Sequence, residues 1–374
     1  MNEQEILNSM ALTRLSYFSL ACLHELYSRL GSATAIMENR RNIRDILPDA
    51  SPRLIDAFDD TDSAMRKAEA EYKWDLDNNI CVIPMNDPLY PQRMTDCPDA
   101  PIVLYYKGSC DLNKHKVIAM IGTRHCTVYG QDVIRKFMRD LRSLCPDVLV
   151  VSGLAYGIDI NAHREALANG YPTIGVLAHG LDRIYPYSHR DTAVRMLSCG
   201  GLISEYASGT RCMKGNFVQR NRIVAGMADA TILVESAERG GGMITIGIAR
   251  DYNRDTFAFP GYVDAVYSQG CNKMIRDNEA ALITCAEDFV NSMGWKDDAA
   301  LSEAKKQGIE RQIFPDLTIE EKQVVDILSD SNNLQINILT VRSGIPINKL
   351  TSLLFSLEMK GVIKTMAGGC YHLI

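Results

Sequence analysis

The chain has 374 residues, 46% of them hydrophobic, enough to bury a large core and to form two or three domains. A net charge of −6 excludes a protein coated in basic charge, so any polyanion must be held at a local patch. The 11 cysteines are scattered and odd in number, with no C-x-x-C spacing; neither a disulfide framework nor a zinc site is indicated, and a reducing compartment fits. No apolar run reaches the roughly 18 residues of a membrane span. The start, Met1-Asn2-Glu3-Gln4-Glu5, is acidic and polar, so a cytoplasmic protein that does not enter a membrane is expected.

Residues 11–74 have helical periodicity, with Leu12, Leu15, Leu20, Leu23, Leu26, Tyr27 and Leu30 on overlapping faces and Gly31 as a stop. They predict a small helical domain over 1–74. Its Leu30-Gly31-Ser32-Ala33 turn is reminiscent of a helix-hairpin-helix but reads more simply as a plain connection. From 75 to 114 the pattern breaks into short apolar pieces with prolines at 84, 88, 91, 98 and 101, which suits a connecting segment with edge strands.

A buried strand at 117–121 then ends in Gly122-Thr123-Arg124 and is followed by a helix over 130–144. The unit recurs. Strands at 148–151, 173–177, 202–204, 230–234 and 256–259 end at Ser152-Gly153, Ala178-His179-Gly180, Ser204, Glu235 and Pro260-Gly261. Alternating buried strands and helices over 75–295 predict an α/β fold, an extended Rossmann-like, doubly wound parallel sheet, whose ligands bind at the carboxyl ends of the strands. Residues 296–316 are polar and aperiodic and read as a linker. Over 317–374, a capped helix at Thr318, a helix at 334–341, a third helix with Leu350, Leu353, Leu354, Leu357 and Met359 inward, and a two-stranded wing make a winged-helix domain. Its recognition helix carries only Lys349 and Lys360, opposed by Glu358, so strong duplex binding is not expected and protein contact fits as well.

Chemistry concentrates in Phe217-Val218-Gln219-Arg220-Asn221-Arg222. Arg211, Lys214, Arg220 and Arg222 supply four charges with no acid between Tyr206 and Ala228. At the head of a helix such a cluster would gather anions, and a neighbouring ring can stack a base while guanidiniums hold phosphate. No G-x-G-x-x-G follows the first strand and no P-loop is present, so no nucleotide cofactor is expected. The loop from Glu235 to Thr245 is the best further phosphate cradle, provided that Glu235 and Glu238 point away. Asp159 and His163, at i and i+4, read as a local stabilising pair worth about 0.3–1 kcal/mol. Ser152 lacks the elbow of a nucleophile, so the trio is not expected to be catalytic.

Gly122-Thr123-Arg124 with Thr127, Tyr129 and Gly130 opens a longer series. Ser152-Gly153-Leu154-Ala155-Tyr156-Gly157-Ile158-Asp159 with Ala162-His163, Gly180-Leu181-Asp182 with Tyr185-Pro186, and Ser204-Glu205 follow. Phe217 with Arg220-Asn221-Arg222-Ile223, Thr245, Pro260-Gly261, and Gly270 with Asn272 complete it. Together they resemble the DNA-processing protein A family, DprA, also called Smf. The resemblance implies a non-enzymatic homodimer that binds single-stranded DNA, protects incoming strands and helps load a RecA-type recombinase during natural transformation. It implies a groove formed by Arg124, Lys214, Phe217, Arg220, Asn221 and Arg222, lined by Gly122, Thr123, Ser152, Gly153 and Thr245. Val218 stands where the family usually has proline, and Asn278-Glu279-Ala280 replaces a Gly-Ala pair.

Two other readings compete. One is a nucleotide phosphoribohydrolase on a similar core, which would need Glu235 and whose loop would be Gly240-Gly241-Gly242-Met243-Ile244-Thr245. The other is an adaptor that contacts partners without DNA.

Overall fold

The computed structural model describes residues 2–17, 19–59, 61–295, 317–332, 334–366 and 370–373. The chain divides into two units, 1–299 and 300–374. The expected linker and the tip of the wing at 367–369 lie outside the described residues.

In the first unit six helices precede the sheet: α1 (Glu3–Leu12), α2 (Leu20–Leu30), α3 (Ala33–Glu38), α4 (Ile43–Ile46), α5 (Pro52–Asp59) and α6 (Thr61–Asp77). Gly31 closes α2 in the left-handed region at φ 81°. Leu12, Leu26, Ile36, Leu54 and Phe58 of these helices share one buried core with Val82, Val103 and Tyr105 of the first strands. The helical segment therefore covers the outer end of the sheet.

The elements that follow are β1 (Cys81–Pro84), α7 (Gln92–Thr95), β2 (Val103–Gly108), β3 (Val117–Ile121), α8 (Val128–Leu144), β4 (Leu149–Ser152), α9 (Ile158–Ala168) and β5 (Thr173–Val176). Then come α10 (Arg190–Met196), β6 (Gly201–Ser204), α11 (Lys214–Gly226), β7 (Ala230–Leu233), α12 (Gly241–Asp251), β8 (Asp255–Ala258), α13 (Gln269–Arg276), β9 (Ala281–Leu282) and α14 (Ala286–Ser292). The sheet runs β1-β2-β6-β5-β4-β3-β7-β8-β9. From β6 to β9 all neighbours are parallel, while β1 and β2 extend the sheet antiparallel. The proline-broken stretch thus supplies the expected edge strands, which run antiparallel to their neighbours and not with the parallel sheet.

Every residue of β3 is buried, as a strand covered on both faces must be. Ile118 and Met120 meet α8, α9 and α14, whereas Val117, Ala119 and Ile121 meet α11, α12 and α13. Strands β3 to β6 build outward on one side and β7 to β9 on the other. The strand order reverses between β3 and β7, and a crevice opens beyond their carboxyl ends there.

The second unit contains α15 (Ile319–Asp330), β10 (Leu334–Gln335), α16 (Ile336–Ser343), α17 (Ile347–Met359), β11 (Ile363–Met366) and β12 (Cys370–Leu373). Thr318 and Glu321 form the expected capping box of α15. Two details differ from the sequence reading. Leu334 and Gln335 pair with β12, so the wing gains a short third strand and the second helix starts at Ile336. Met359 points outward, 74% exposed, because Leu350, Leu354 and Leu357 already fill the core side of α17.

Candidate nucleic-acid interface

A pocket of about 410 Å³ occupies the crevice at the strand-order reversal. Gly122, Thr123 and Arg124 reach it from the end of β3, Gly153 from β4, Phe217, Arg220 and Asn221 from α11, and Gly240, Gly241, Gly242 and Thr245 from the start of α12. Close approach builds it. A Cβ on Gly242 would lie 2.8 Å from Leu233 and 3.2 Å from the Gly122 Cα, so only glycine lets the head of α12 come this near the end of β3.

Helix α11 begins at Lys214, two turns earlier than a head at Arg220 requires. Its buried apolar residues Ile223, Val224 and Ala225 are gathered in the last turns, so the first half carries no periodic signal. Lys214, exposed, is therefore the cation at the helix start, and it does not line the pocket. Phe217, Arg220, Asn221 and Val224 fall on one face of the helix and do. The Arg124 guanidinium lies 5.5 Å from the centroid of the Phe217 ring, and Tyr185 meets the same ring edge-on at 5.9 Å. Arg124 is exposed, and among the described residues it makes no salt bridge.

The other two arginines of the stretch are committed elsewhere. Arg220 is 4% exposed and donates to the carbonyl of Gly153 at 2.5 Å and to that of Val176, across the ends of β4 and β5. Its guanidinium lies over Gly153, where a Cβ would come within 2.5 Å of it. Burial pushes its pKa down, and Asp159 opposes that shift. Arg222 turns away from the pocket. It pairs with Glu205 just beyond β6 and lies 3.9 Å from Asp99, its side chain 11% exposed. Burial raises the Glu205 carboxyl, and Arg222 counters it. Arg222 is thus not in the groove that the sequence assigned to it. Ser152, also expected to line the groove, is fully buried and donates to the Met120 carbonyl at 2.7 Å.

The acids of the β7 loop do point away from the pocket's cations. Glu235 is buried and accepts from the Thr127 amide at 2.9 Å and the Thr127 hydroxyl at 2.6 Å, which anchors the start of α8. Glu238 pairs with Lys273 at 3.1 Å. The expected Asp159–His163 pair is not made: the Asp159 carboxylate accepts from the Ala155 amide at 3.3 Å, and His163 Nδ1 bonds the Thr173 hydroxyl at 2.7 Å. His163 is fully buried, and burial pushes its pKa down to about 3. Among the pocket residues missed from sequence are two with rings, His125 and Tyr267. The signal for His125 was its place beside Arg124; for Tyr267 the sequence held none beyond the ring. Among the described residues no group of side chains could hold a metal ion, and no helix is long and apolar enough to cross a membrane.

The fold is Rossmann-like, and the pocket where its strand order reverses contains a guanidinium and an aromatic ring. A family model described as DNA recombination-mediator protein A matches residues 81–294, and one described as the DprA winged helix domain matches 311–369. DNA processing protein DprA of Streptococcus pneumoniae is 37% identical over 204 residues, 54% of this chain and 71% of that protein. Protein Smf of Escherichia coli is 29% identical over 82% of this chain and 81% of its own. The X-ray structure of the S. pneumoniae protein superposes with a TM-score of 0.64 at 30% identity, covering 77% of this chain and 96% of that one. A structure of DNA processing protein A from Helicobacter pylori, described by its single-stranded DNA binding mode, gives 0.52 at 27% identity over 57% of this chain and 95% of that one. The chain belongs to the DNA recombination-mediator protein A (DprA) family.

Proposed function

We propose that this protein binds single-stranded DNA in the pocket beyond β3, β4 and β7. The observation that carries the reading is the Arg124 guanidinium held over the Phe217 ring inside a pocket from which Glu235 and Glu238 are turned away, while the one lining acid, Asp159, is buried and bonded to the Ala155 amide. A flat ring can stack an unpaired base, and the cation beside it can hold phosphate. Arg124, Phe217, Asn221 and Thr245 make the contacts, the backbone of Gly122, Thr123 and Gly153 shapes the floor, and Lys214 draws the strand in. Arg220 and Arg222 position α11. The family and the solved H. pylori relative support this assignment.

The protein acts without catalysis, protecting incoming strands and helping to load a RecA-type recombinase during natural transformation, in the cytoplasm. It works as a homodimer, a reading supported by the free sheet edge β9, where Ala281 and Leu282 are both exposed. The winged helix contacts protein: Lys349 on α17 is paired with Glu320 at 2.5 Å and Lys360 at its C-terminal cap with Glu321 at 2.8 Å, while Ile347, Phe355 and Met359 are exposed. A fluorescence titration with single- and double-stranded oligonucleotides at two salt concentrations tests the central claim. The single strand should bind tighter than the duplex of equal length and weaken with salt; equal affinity for both would sink the reading.

A further inference from the structure

The same pocket contains a second aromatic pair. The rings of His125 and Tyr267 stack at 5.9 Å with only 23° between their planes. Both residues line the pocket that holds Arg124 and Phe217. Ring pairs that serve packing, such as Phe137 and Phe259, are edge-on and buried on both sides. His125 is instead exposed and Tyr267 half-buried, so the stack presents an open face to the pocket.

The backbones that carry the pair are tied to one another. The Thr123 amide donates to the Glu235 carbonyl at 2.7 Å, the His125 amide to the Thr123 hydroxyl at 3.1 Å, and the Ser236 amide to the Tyr267 carbonyl at 2.6 Å. Glu235 and Ser236 lie just after β7, so one short loop ties together the backbones that carry both rings. Meanwhile Arg124 and His125, neighbours in sequence, engage rings on two different elements: Phe217 on α11 and Tyr267 before α13. The loop after β3 therefore carries a cation with an aromatic surface on either side of it in the contact chain.

We propose that the His125–Tyr267 stack is a second base-stacking station for the strand that Phe217 receives. A nucleobase continues the stack on the open face, and Arg124 holds the phosphates between the two stations. This rests on the single-stranded DNA reading and deepens it, because it gives the pocket more than one base and hence a minimum strand length. Stacking needs unpaired bases, so two stations discriminate more strongly against duplex than one.

The test uses the full chain and a thymidine oligonucleotide in which one 2-aminopurine is moved a position at a time. Wild type should quench the probe at two separate positions; Phe217→Ala should abolish one and Tyr267→Ala or His125→Ala the other, each weakening binding about tenfold. Tyr267→Phe should behave as wild type, and Tyr267→Leu, which keeps bulk without a ring, should behave as the alanine variant. If wild type binds the strand but the Tyr267 and His125 variants keep its affinity and quenching pattern, or Tyr267→Leu restores both, the second station falls and the single-station reading stands. No strand binding by wild type would overturn both.

Discussion

The two sides of α11 make an instructive pair. On one, Phe217 and Asn221 face the pocket beside the exposed Arg124, with Arg220 buried beneath them and closed in by the carbonyls of Gly153 and Val176; on the other, Arg222 is closed into the protein by Glu205. A run of arginines in sequence is therefore not a basic patch in space. Arg220 satisfies the strand ends and Arg222 ties the helix to Glu205, which leaves the Phe217 ring turned to the pocket. Burial, not charge count, separates the two roles.

The comparison is most exposed at Arg220. Arg220→Ala should cost about 3 kcal/mol of stability, since it strands two carbonyls and leaves Asp159 buried without its counter-charge. Urea unfolding measures this, and a loss under about 1 kcal/mol would erase the distinction. Arg222→Ala should cost about 2–3 kcal/mol by leaving Glu205 unpaired, and the double variant Arg222→Met, Glu205→Leu should recover most of it. On the open side the pattern inverts. Phe217→Ala should weaken single-strand binding by about 1–3 kcal/mol while leaving the urea midpoint close to wild type; a stability loss as large as that of Arg220→Ala would merge the two sides.

Asp75 extends the rule to an acid away from α11. Burial, with a smaller push from Glu71, raises its carboxyl from 3.8 to about 8 against the opposing pull of Arg14. The folded state holds this proton more tightly than the unfolded chain, so the associated stability is full below pH 3.8 and is lost as pH rises through about 8. Asp75→Asn should accordingly add about 1 kcal/mol above pH 8 and nothing near pH 4. Denaturant midpoints across that range decide it, and a gain at low pH would contradict the sign. The smallest effect belongs to Arg124→Ala, which should lower the logarithmic salt slope of single-strand binding by about 0.7 with no change in stability.

Much of this was legible in the residues. The buried run Val117–Ile121 followed by Gly122-Thr123-Arg124 announced both the central strand and its ligand end, and Gly31 announced the end of α2. The start of α11 was misplaced because Lys214, Asn216 and Gln219 supply no apolar period. The fate of Arg222 was partly available: five residues at 100° each put it about 140° around the helix from Phe217. The fate of Arg220 was not, since its acceptors lie on β4 and β5, far away in the chain. Long-range pairing also hid Tyr267, whose partner His125 sits on another loop, and β10, whose two residues pair only with β12.

Ultraviolet cross-linking of a thymidine oligonucleotide to the full chain, with mass spectrometry of the attached peptides, asks most directly where the strand lies. The account predicts adducts on the peptides containing Phe217 and Arg124, lost when Phe217 is replaced by alanine. Adducts confined to the winged-helix unit, or spread over the surface without those peptides, would contradict it.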